Sequence, residues 1–146
     1  MSIYCIAYIG KFNEPLYFYS KEEPSETLHL QMIVHSCLDV VEERKKRAAS
    51  STASMDMYMG QLFPIEDYRT FGSYSNTHNK IIVICENATS EAGGIKDTIS
   101  ALNNAFVNAI QNPFQPVGSP LHSKILDSSV SQIVQRHNNI ASKRKA

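Results

Sequence analysis

In the stretch Ile33–Lys45, IVHSCLDVVEERK, a histidine, a cysteine and an aspartate stand at alternate positions: His35, Cys37 and Asp39. A cysteine activated by a neighbouring histidine is a nucleophile. The same residue types also ligate zinc. Either chemistry requires the side chains to converge, so the element that carries them decides the matter.

That element reads as a helix from about Glu26 to Arg47. Ser25 is a suitable N-cap, Glu26 suits the first turn, and the basic run Arg44–Arg47 suits the C-terminal end. At about 100° per residue, Leu30, Val34, Cys37, Leu38 and Val41 form one stripe fit to pack on a sheet. Leu28, Met32, His35 and Asp39 recur at i, i+4, i+7 and i+11 on the opposite side. Cys37 therefore points away from His35 and Asp39, and no Cys–His pair forms within the helix. Two ligands on one helix face, with no third elsewhere, make a poor zinc site. The remaining histidines, His29, His78, His122 and His137, stand in no ligand spacing.

Other constellations are weaker still. Gly93-Gly94 precedes a helix but lacks the rest of a phosphate loop, and reads as a turn. Glu66 and Asp67 are adjacent carboxylates in a turn. The chain contains no G-x-S-x-G, H-E-x-x-H or C-x-x-C pattern. The expectation is no catalytic, metal or cofactor site. The Leu28, Met32, His35, Asp39 face is compatible with a protein–protein patch. Ordinary surface, or burial under strand–loop regions, would also produce it.

The positioning elements come next. The 146 residues suit one domain, and 42% hydrophobic content supports a sizeable core. A formal net charge of zero, without a basic stripe, argues against nucleic acid as a partner. Residues 1–10 lack the basic start and cleavage site of a signal peptide, and no apolar run reaches the ~20 residues of a membrane span. Three scattered cysteines fit buried, reduced thiols. Asn87-Ala88-Thr89 matches a glycosylation acceptor by chance.

Ile3–Ile9 and Lys80–Cys85 are continuous apolar runs, which implies strands buried on both faces. A hairpin loop at Gly10–Pro15 leads to an edge strand, Leu16–Tyr19. Pro24 ends the polar segment before the first helix. Met55–Phe63 and Arg69–Ser75 read as strands, separated by a turn at Pro64–Asp67. Ile95, Ile99, Leu102, Phe106 and Ile110 form one helical stripe closed by Pro113. Leu126, Val130, Ile133, Val134 and His137 form another. The resulting α/β (α+β) expectation is a five-stranded, mainly antiparallel sheet in the order 2-1-5-4-3. One helix covers one face and two cover the other. The domain spans 1–142, and a basic tail occupies 143–146.

Three segments then form a pattern together: IVHSCLDVVEE (33–43), MYMGQLFPIEDYRTFGSYSNTHNKIIVI (57–84) and NPFQPVGSPLHSKILDSSV (112–130). With the opening hairpin YCIAYIGKFNEPLYFYS, they resemble the sedlin family of TRAPP vesicle-tethering subunits over about residues 3–138. The resemblance implies a longin-like fold and a non-catalytic adaptor. It implies other TRAPP subunits as partners, including a large subunit, and an indirect link to Rab GTPases through exchange activity held by other subunits. It also implies a cytoplasmic protein, peripheral at ER-Golgi and Golgi membranes through its complex. Asp39, within the family's Leu38–Glu43 motif, becomes an expected partner contact. A stand-alone longin domain regulating SNAREs is the competing expectation; no heptad or anchor follows Ile140.

Overall fold

The computed structural model describes residues 3–20, 24–49, 58–65, 68–74, 79–86, 95–114, 120–121 and 124–145. Five strands, β1 (Ile3–Ile9), β2 (Pro15–Ser20), β3 (Tyr58–Ile65), β4 (Tyr68–Tyr74) and β5 (Lys80–Glu86), pair antiparallel in the order β2-β1-β5-β4-β3. Helix α1 (Pro24–Ala49) lies on one face; α2 (Ile95–Ile110) and α3 (Lys124–Lys145) lie on the other.

Cover on both faces is why β1 and β5 are apolar at successive positions. Ile81, Val83 and Cys85 join the α2–α3 core, whereas Ile82 and Ile84 join the α1 core. The β1–β5 register shifts between Ile3 and Cys5, opposite Cys85 and Ile84. This bulge changes the parity of β1, so Ile3 and Ile6 face the same core although three residues apart.

Two prolines depart from the sequence expectation. Pro24 opens α1 instead of closing the segment before it. Its fixed φ and missing N–H suit a first helical turn, where that N–H would be unbonded. Pro64 and Ile65 are the last residues of β3, paired with Arg69 and Tyr68, and not the start of a turn. β3 is an edge strand, with a register shift between Gln61 and Pro64, so the missing N–H is tolerated. Glu66, Asp67 and residues 55–57 lie outside the described residues.

In α2, Ile95, Ile99, Leu102 and Phe106 are buried, but Ile110, the last residue of the helix, is exposed. The Phe106 ring stacks on Tyr8, with centroids 4.3 Å apart and planes 3° from parallel. In α3, Leu126, Val130, Val134 and His137 are buried and Ile133 is partly so. His137 Nδ1 lies 2.9 Å from Thr98 Oγ1 across the α2–α3 seam. The backbone of α3 continues through the basic residues to Lys145.

Candidate partner interface on helix α1

The inner side of α1 is a buried stripe of Leu30, Ile33, Val34, Cys37, Leu38 and Val41. It packs on Cys5, Ala7, Ile9, Leu62, Ile82 and Ile84. Ile33 widens the expected stripe by one position. Burial of each such side chain contributes about 1.5–3 kcal/mol, so this stripe fixes the rotation of the helix.

That rotation decides the fate of the histidine–cysteine–aspartate trio. The Cys37 thiol is enclosed, and burial pushes its pKa up to about 11, with a hydrogen bond to Thr70 opposing. His35 and Asp39 are exposed on the other side. Leu28 is 66% exposed and Met32 63%. The structure thus brings Leu28, Met32, His35 and Asp39 together along one outward line and separates Cys37 from it. Burial also pushes the Cys85 thiol up to about 12, and raises that of Cys5, with Cys37 nearby adding to the rise. Thiols held protonated and away from solvent are poor nucleophiles. Among the described residues, no three His, Cys, Asp or Glu side chains gather in a way that could hold a metal ion.

The sequence reading missed a polar cluster at the far end of α1. Lys80, first residue of β5, is buried, and its Nζ lies 2.6 Å from Glu42 Oε1. Lys80 Nζ also donates to Asn13 Oδ1 in the β1–β2 turn. The Lys80 hydrogen bond holds the Glu42 carboxyl below its usual range, and partial burial opposes this. Beside this cluster, Lys45 Nζ sits 4.7 Å from the Tyr74 ring centroid, and Arg44 donates to the Leu62 carbonyl at 3.1 Å. The segment Leu38–Glu43 therefore divides its labour. Leu38 and Val41 enter the core, Glu42 takes Lys80, and Asp39 faces outward.

A family model described as Sedlin matches residues 8–136. The chain belongs to the sedlin family. Among relatives, a trafficking protein particle complex subunit 2-like protein of Dictyostelium discoideum is 35% identical over 136 residues, covering 90% of this chain and 96% of its own. Proteins of the same description from Xenopus tropicalis and Mus musculus are each 33% identical, covering 89% of this chain and 95% of their own. The sedlin match takes in all of α1 and both groups of residues described above.

Proposed function

We propose that this chain is a non-catalytic adaptor subunit of a TRAPP-type vesicle-tethering assembly, and that the outer face of α1 contacts a neighbouring subunit. The observation that carries the reading is the line of Leu28, Met32, His35 and Asp39, with two large apolar side chains about two-thirds exposed beside a polar pair. An apolar centre with a polar edge is the composition of a protein interface. The names of the relatives supply the kind of assembly.

In this reading the fold is of the longin type, and the neighbour includes a large subunit. The assembly serves ER-to-Golgi and Golgi transport, and guanine-nucleotide exchange on Rab GTPases resides in other subunits. The chain is cytoplasmic and meets the membrane only through its complex. In support, no helix among the described residues is long and apolar enough to cross a membrane. The neutral net charge also gives no general attraction to nucleic acid or anionic lipid.

Asp39→Tyr tests the interface. A bulky ring on an exposed helix position is expected to leave the melting temperature within about 3 °C of wild type. Recovery of other subunits with the tagged protein is expected to fall by about tenfold or more. A variant that does not fold, or that retains every subunit, overturns the assignment of Asp39.

A further inference from the structure

The tip of the β1–β2 hairpin, Gly10–Glu14, turns an aromatic side chain to solvent. Phe12 is 82% exposed. A flexible loop often leaves an aromatic in water, but this tip is heavily constrained. Gly10 N donates to Glu14 O at 2.9 Å, and Asn13 N donates to Gly10 O at 3.1 Å. Phe12 N donates to Glu14 Oε2 at 2.8 Å. The Glu14 carboxylate folds over Gly10 so closely that a Cβ there would displace it. Asn13 holds the left-handed conformation, φ 63°, and its side chain is tied to the buried Lys80, itself paired with Glu42 of α1.

The tip is thus anchored in the core while its ring projects outward. With Glu14 turned back onto the Phe12 amide, the outward charge is that of Lys11, whose Nζ lies 5.6 Å from the Phe12 ring centroid. An aromatic carried on a constrained backbone, with an adjacent cation, is a partly pre-organised anchor, because the backbone needs little ordering on binding.

We infer that Phe12 and Lys11 form a second docking point, one that inserts the ring into an apolar pocket with an acidic rim on another protein. This rests on the reading of the chain as a subunit of an assembly. A protein pocket fits better than a bilayer. One phenyl ring and one lysine give less anchorage than a single myristoyl chain, which itself binds membranes only marginally. A bilayer would also gain nothing from the fixed backbone geometry.

The experiment uses the full chain, tagged, in the assembly purified from its own cells. p-Benzoylphenylalanine placed at position 12 is expected to cross-link to another subunit on irradiation. Phe12→Ser is expected to lower recovery of that subunit about tenfold at an unchanged melting temperature. Lys11→Glu is expected to lower it severalfold. Asn13→Gly, which keeps the backbone conformation and removes the tie to Lys80, is expected to fall between Phe12→Ser and wild type.

Absence of a subunit cross-link, or full recovery with Phe12→Ser, overturns the inference. So does flotation of the isolated wild-type chain, but not of Phe12→Ser, with phosphatidylserine-containing vesicles. If Asp39→Tyr loses subunits and Phe12→Ser does not, the hairpin inference falls and the α1 interface stands. If neither loses any, the α1 interface falls as well.

Discussion

Lys80 and Glu42 are joined by a 2.6 Å ion pair in which the lysine side chain is 1% exposed and the glutamate 34%. The two ends therefore respond differently to removal. Glu42→Ala leaves a buried ammonium with Asn13 as its remaining partner in this cluster, and the expected loss is about 3 kcal/mol in urea unfolding. The low end of the range for buried pairs applies because Glu42 is partly hydrated. Lys80→Met removes the buried charge itself and leaves a carboxylate that reaches water, so a loss under about 1 kcal/mol is expected. Equal losses for the two variants contradict this account.

The same pair sets an acid dependence. Glu42 has a folded pKa below its reference of 4.5, chiefly through the Lys80 hydrogen bond. A depressed carboxyl pKa contributes stability above the unfolded value, and that contribution disappears as pH falls through the folded value. Melting scans from pH 7 down to about pH 3 should show wild type losing more stability below about 4.5 than Glu42→Gln does. Parallel curves for the two proteins would remove Glu42 as the source.

Cys5, Cys37 and Cys85 are buried, free thiols with raised pKa values. An aromatic disulfide reagent at pH 8 should leave all three unmodified in the native protein and titrate all three in denaturant. Because burial raises them from 9.0, their contribution to stability is intact below that pH and is lost as pH rises above it. Rapid native labelling at pH 8 would show that β1, α1 or β5 opens far more readily than its packing implies.

Tyr17 of β2 donates its hydroxyl to Asp127 of α3 at 2.6 Å. The bond ties an edge strand to the first turn of a helix 110 residues away, and it is solvent-exposed. Tyr17→Phe is expected to cost about 0.5–1 kcal/mol, read from the urea midpoint at constant m. A cost near zero would show that water replaces the bond without loss.

The central placement of β1 and β5 was legible because their apolar runs do not alternate, and the facing of Cys37 was legible because helical spacing is strict. The outward line from Leu28 to Asp39 followed from the same spacing. Lys80 was not legible. It heads the run KIIVIC, whose apolar residues alone decide the strand assignment, while its partners lie 38 and 67 residues away and meet it only through topology. Pro24 and Pro64 misled because proline breaks structure in an interior and is accepted at a first helical turn or an edge strand. Ile33 was left off the inner stripe because the groove between α1 and the sheet accepts a wider arc than the narrowest one the spacing allows.

The alternation along β5 has a mechanical consequence. Ile82 and Ile84 feel whatever presses on α1, whereas Val83 and Cys85 belong to the α2–α3 side, so the sheet acts as a partition wall. The proposed α1 interface and the α2–α3 surface therefore lie on opposite sides of the sheet, each backed by its own half of β5.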